Sequence, residues 1–126
     1  MQANGNFNVQ LHVQSSADAP PWGRQRIEKV FHGDLEGHSI GEMLAVRTDV
    51  QGSAGYVALE QVTATLDGRK GTFFLQHSGV MDRGTACLSV SVVPDSATGD
   101  LKGMQGTMEI QIEGGVHSYA FTYSLP

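Results

Sequence analysis

One cysteine, Cys87, is all the thiol chemistry this 126-residue sequence holds, so no internal disulfide framework can be built. A reducing compartment suits such a chain, and a cytoplasmic location is expected. Cations are scarce as well: 8 Lys plus Arg stand against 13 Asp plus Glu, a formal net charge of −5. A phosphate backbone has little to hold on to, which argues against nucleic acid as a partner. No stretch reaches the roughly 20 apolar residues of a membrane-spanning helix. The opening residues, Met1 to Phe7, have neither the basic segment nor the apolar run of a secretory signal, so no membrane partner is expected. Also missing are a convincing long helix, a repeat of about 34 or 40 residues, and a glycine-rich strand-turn-helix of the nucleotide-binding kind. Cofactors are expected to be none.

What the chain does have is glycine, 16 residues of it, with four prolines spread among short runs of alternating hydrophobicity. Residues 1–126 suffice for one domain with a proper core and are too few for two. The central stretch runs from Tyr56 to Met81, where two segments rich in Val, Thr, Leu and Phe flank Asp67-Gly68 and predict a long β-hairpin. A four-residue loop, Asp67 to Lys70, puts Glu60 opposite His77; a loop two residues tighter makes them diagonal neighbours on one face. In either register Tyr56, Ala58, Val62, Ala64, Leu66, Phe73, Leu75, Gly79 and Met81 share that face.

Period-2 alternation predicts further strands over Asn6 to Val13, Arg26 to Gly33, His38 to Arg47, Gly84 to Pro94, Met104 to Glu113 and Val116 to Leu125. Asp34 to Gly37 reads as the turn between the second and third. The facing of those two strands stays open, because apolar residues occupy both parities of the third. If the register carries back from Tyr56, Gly41 lies beside Glu60 and Lys29 comes within reach of its carboxylate; a one-residue slip puts Lys29 in water. Solvated Lys29 is the reading adopted. Cys87 points away from the apolar face of its strand, which is no place for a catalytic thiol. Residues 15–24, with two prolines, a glycine and the only tryptophan, make a long connection of the kind that serves as a lid. Trp22 within it either packs outside the sheet or caps a pocket.

Eight antiparallel strands with short connections leave two bare edges unless the sheet closes, and eight close around an interior that side chains or one small ligand can fill. The expected fold is therefore all-β: an eight-stranded antiparallel up-and-down β-barrel with a long loop between its first two strands. The sequences FHGDLEGHS from Phe31, GYVALEQVTATLDGRKGTFFLQHSG from Gly55, TACLSVSVVPDSATGDLKGMQG from Thr85 and HSYAFTY from His117 resemble the bacterial domain-of-unknown-function family 3224. Its members carry G-D-I-E-G-x-S, an L-E followed by L-Q-H-x-G, V-V-P-x-S-G-T-G-E-L-x-G and H-x-Y-x-L-x-Y. The resemblance implies a barrel like that of allene oxide cyclase, with a lumen open at one end, and implies no activity.

In such a barrel the Asp49 to Gly52, Asp82-Arg83 and Gly114-Gly115 turns share an end with the 15–24 loop. Tyr56, Met81, His117 and Tyr119 are expected near that mouth, with Glu60 and His77 midway down. A carboxylate and an imidazole in an apolar lumen are costly unless they pair or act. Burial alone raises the Glu60 pKa, and an ionised partner would hold it down. Together they can move a proton on a small apolar substrate in an isomerisation or cyclisation, with a tyrosine donating to a developing oxyanion. Equally, they can satisfy one another and fix the register, or the barrel can be a non-catalytic carrier or sensor of an apolar ligand. Glu60, His77 and His117 could form a two-histidine, one-carboxylate set, but no H-x-H or C-x-x-C spacing supports one, and no metal is expected. Val57, Leu59 and Phe74 face outward on adjacent strands and predict a homodimer.

Overall fold

The computed structural model describes residues 1–14 and 21–126. Eight strands follow one another: β1 (Gln2–Gln14), β2 (Gly23–Gly33), β3 (Leu35–Arg47), β4 (Ala54–Leu66), β5 (Arg69–Asp82), β6 (Thr85–Val92), β7 (Gln105–Glu113) and β8 (Val116–Ser124). Each pairs antiparallel with the next, and β8 returns to β1, so the sheet is a closed up-and-down barrel with no bare edge. Residues 15–20 of the connection read as a lid lie outside the described residues.

The β4–β5 hairpin turns on Asp67 and Gly68, both at positive φ (51° and 76°), the twist that suits two strands joined by two residues. Leu66 therefore pairs with Arg69, and the tighter register holds: Glu60 lies opposite Leu75 and His77 opposite Ala58. The last pair between β2 and β3 is Phe31 with Gly37, so the turn spans His32 to Glu36, one residue longer than Asp34 to Gly37 and begun two residues earlier. Gly33 takes φ 109° and still pairs with Gly5 of β1, while Leu35 pairs with Leu66 of β4 and is fully buried. An apolar side chain at that point is worth more in the core than in a loop.

Inward positions grade from dry to wet along the barrel axis. On β1 Phe7 is buried, Val9 half-buried, and Leu11 and Val13 exposed; on β7 Met108 is buried, Ile110 half-buried and Ile112 exposed. The dry end is plugged by Phe31, Leu35, Leu66, Phe73, Phe121, Leu101 and Met104. Phe73 and Phe121 stack with centroids 5.9 Å apart. Leu101 comes from a single 3₁₀ turn, Gly99–Leu101, in the β6–β7 connection, which hangs on β5 through Thr98 N–H to Thr72 O, 2.8 Å. At the wet end the β3–β4 and β5–β6 turns touch, Gly84 N–H donating to Gly52 O. The product is cup-like: a solid base, and inward apolar side chains that become exposed toward the other end.

Candidate functional site

On β4 the even-numbered residues face the lumen: Ala58, Glu60, Val62, Ala64 and Leu66 are buried while Val57 and Leu59 are exposed. On β5 the same alternation turns His77 inward, and on β2 it turns Lys29 inward. Glu60, His77 and Lys29 are 0%, 4% and 7% exposed. They meet at one atom: Lys29 Nζ and His77 Nε2 each donate to Glu60 Oε2 over 2.8 Å. Lys29 is thus a member of the cluster and not a solvated surface residue. It reaches β4 across β3, whose inward residues at that level are Ser39, paired with Lys29, and Gly41, paired with Glu60. A Cβ on Gly41 would lie 2.7 Å from Glu60 Cα, so only glycine seats the carboxylate there. The Lys29 ammonium also lies 4.8 Å from the Phe7 ring centroid and 5.9 Å from that of Phe31, where the ring faces help to replace lost water.

Burial pushes the Glu60 carboxyl upward, but the His77 hydrogen bond and the Lys29 charge outweigh it and hold the group below the ordinary carboxylate value. Glu60 is therefore an anion. A carboxylate oxygen only accepts, so His77 must present Nε2–H to it, and the neutral ring carries its lone pair on Nδ1. Holding an imidazole in one tautomer and orientation is what a carboxylate does beside a general base.

Tyr56 stands mouthward of His77, half-buried, with ring centroids 6.4 Å apart. Its ring fills the place of a side chain on Gly79, where a Cβ would come within 2.2 Å of Cε1. Burial and the Glu60 charge push its phenol upward, so it stays protonated at neutral pH. Met81 is exposed at the rim, and Trp22 is exposed in the bend that precedes β2. His117 is half-buried on the opposite wall against Phe7, centroids 5.3 Å apart. Among the described residues no three His, Cys, Asp or Glu side chains converge as a metal site would require.

Tyr119 is not at the mouth. It pairs with Gly5, which pairs with Gly33 at the β2–β3 turn, so the stagger of the strands carries it to the closed end. There its hydroxyl accepts from Leu35 N–H (3.0 Å) and donates toward His32 O (3.0 Å) or Leu35 O (3.2 Å), tying down the turn. Of the residues expected to form a site, then, the barrel brings together Glu60, His77 and Tyr56, adds Lys29, and leaves Met81, Trp22 and His117 around the rim and far wall.

A family model described as "Protein of unknown function (DUF3224)" matches residues 3–123. The crystal structure of a protein with unknown function from the DUF3224 family of Shewanella oneidensis MR-1 is similar over 100% of this chain and 97% of that one, at 44% identity and a TM-score of 0.94. No curated protein matches the sequence.

Proposed function

The chain belongs to the DUF3224 family, and for this member we propose that the open cup binds a small apolar molecule and moves a proton on it, as an isomerase or cyclase does. One observation carries the reading: a Glu60–His77 pair, charge-balanced by Lys29, sits buried among inward apolar side chains that become exposed toward one end of the barrel. Such a site, mostly apolar with a few convergent polar groups, is the ordinary form of a small-molecule pocket.

In this mechanism His77 Nδ1 takes a proton from a carbon beside a carbonyl of the substrate, and Glu60 holds the resulting imidazolium. The electron pair moves onto the carbonyl oxygen, to which the Tyr56 hydroxyl, mouthward of His77, donates. Return of the proton at another carbon, or bond formation to it within the molecule, completes an isomerisation or a cyclisation. Lys29 offsets the Glu60 charge, so that an anion forming above the pair meets no net repulsion.

A test is possible with the substrate still unidentified. Native mass spectrometry of protein purified from cells finds the co-purified ligand, and incubation in D2O then reads proton abstraction directly. Wild-type protein should place deuterium on the ligand's carbon, and His77→Ala should retain the ligand without exchanging it. A ligand that takes up no deuterium leaves the second reading, a carrier or sensor, which the near-complete burial of His77 favours.

We also propose that the protein pairs with a second copy of itself through its outer wall. Val57, Leu59 and Phe74 are 53%, 51% and 38% exposed and line a groove with Ile40 and Leu44. The rim carries both signs, Arg24 and Arg26 beside Glu42, as a surface that must complement itself about a two-fold axis requires.

A further inference from the structure

No strand of the barrel lacks a neighbour on either side, but one seam is held at a single point. Among the described residues β6 and β7 share one pair, Ser91 with Thr107, whereas every other adjacent pair of strands shares six or more. The continuation of that seam, Leu88 beside Ile110 and Ala86 beside Ile112, is unpaired. Exposure agrees with this. Leu88, paired with Gly79, and Ile112, paired with His117, face inward and are still 41% and 67% exposed.

Which backbone groups are left free follows from the turns. Arg83-Gly84 and Gly114-Gly115 are two-residue turns at positive φ, so Asp82 with Thr85 and Glu113 with Val116 are the hydrogen-bonded closing pairs. Bonded and non-bonded pairs alternate along an antiparallel ladder from there. Ala86 and Leu88 on β6, and Ile110 and Ile112 on β7, therefore aim N–H and C=O into the seam. Free groups in such a row are a template for one more strand.

The side chains beside the seam define what that strand carries. Its lumen side is apolar, with Ala86, Leu88, Ile110 and Ile112. On the outer face β7 presents Glu109, Gln111 and Glu113, whose cross-strand neighbours Ala120, Ser118 and Val116 carry no charge. Among the described residues neither glutamate is in an ion pair. A second copy of this chain is a poor occupant, since pairing β7 with β7 brings two more carboxylates to the same face.

We infer that an extended peptide alternating apolar with basic residues adds to the free edge of β7. Its backbone pairs with Ile110 and Ile112, its apolar side chains lie against theirs, and its basic side chains lie over Glu109 and Glu113. This does not rest on the reading of the lumen as a small-molecule site.

The probe is acetyl-VKVTVKV-amide, which reads the same in both directions and so sets lysine over both glutamates whether it lies parallel or antiparallel. Its control, acetyl-VEVTVEV-amide, reverses the charge. Each is titrated into the full chain up to millimolar concentration and followed by NMR, with amide hydrogen exchange read at Ile110 and Ile112. The lysine peptide should slow both amides about tenfold and bind about tenfold more tightly than the glutamate peptide. Glu109→Lys together with Glu113→Lys, both on the exposed face, should reverse that order. Equal binding of the two peptides would overturn the assignment of a basic partner. Amides at Ile110 and Ile112 that neither peptide slows, or that exchange slowly in the free protein, would overturn the added strand itself.

Discussion

Lys29 and Glu60 belong to strands that are not neighbours, yet Nζ and Oε2 are 2.8 Å apart because β3 offers only Ser39 and Gly41 between them. Bringing two charges into an apolar interior costs several kcal/mol per ion, which their attraction does no more than offset. A pair of this kind is weak support for a stability role. Its retention next to an imidazole is better explained by what it does to that imidazole.

The energetics of the Lys29–Glu60 pair are measurable by urea unfolding. Glu60→Leu strips Lys29 of its partner and should destabilise the barrel by about 3–5 kcal/mol, the range for breaking a buried pair. Adding Lys29→Met should recover most of that loss, leaving the double variant within about 1 kcal/mol of wild type or above it. A double variant as unstable as the single one would mean that the unpaired ammonium was not the cause.

Acid and alkali should each weaken the fold, for separate reasons. The Glu60 carboxyl is held below its ordinary 4.5, so unfolding takes up a proton as pH falls. Its contribution is complete above about 4.5 and disappears as pH falls through the lower, folded value. Tyr56, Tyr119 and Tyr123 shift the other way, raised from 10.0 chiefly by burial. Unfolding then releases protons, and stability present below about pH 10 is lost above it. Urea midpoints across pH should show both limbs, and the stability gap between wild type and Glu60→Gln should narrow as pH falls below 4.5. A gap independent of pH would contradict an ionised Glu60.

The barrel, its closure and the inward facing of Glu60 and His77 were legible because β4 and β5 alternate cleanly and Asp67-Gly68 fixes their pairing. Lys29 was not, and the reason is physical. Ile40, Leu44 and Val46 on β3 and Val30 on β2 are apolar yet face outward and exposed, so period 2 does not separate inside from outside on those strands. The small residue at Gly41, beside the acid, was the usable signal. Tyr119 was misplaced because counting from the Gly114-Gly115 turn assumes level strands, whereas β8 is staggered against β1.

Tyr119 should therefore behave as a clamp on the β2–β3 turn. Tyr119→Phe keeps the ring, which meets Phe31 edge-on at 5.8 Å, and removes the hydroxyl that serves Leu35 N–H. That leaves a buried donor unpaired, at a cost of about 1–3 kcal/mol. Thermal unfolding should register the loss, and amide hydrogen exchange should speed up at Leu35. Ligand binding in the cup should not change, since the hydroxyl lies at the opposite end. Impaired binding with unchanged exchange at Leu35 would return Tyr119 to the site.

The outer wall gives the last prediction. Val57, Leu59 and Phe74 form an apolar surface on β4 and β5 that is exposed among the described residues. Scattered exposed hydrophobics are normal, but a contiguous patch with a polar rim marks an interface. Only a surface carrying both charge signs can pair with its own copy without like charges facing each other, and Arg24, Arg26 and Glu42 supply both. Sedimentation velocity at micromolar concentration should find a dimer. Leu59→Lys, placed at the centre of the patch, should give a monomer with an unchanged unfolding midpoint at dilutions where wild type is also monomeric. Wild-type protein that sediments as a monomer would leave this wall without the partner assigned to it.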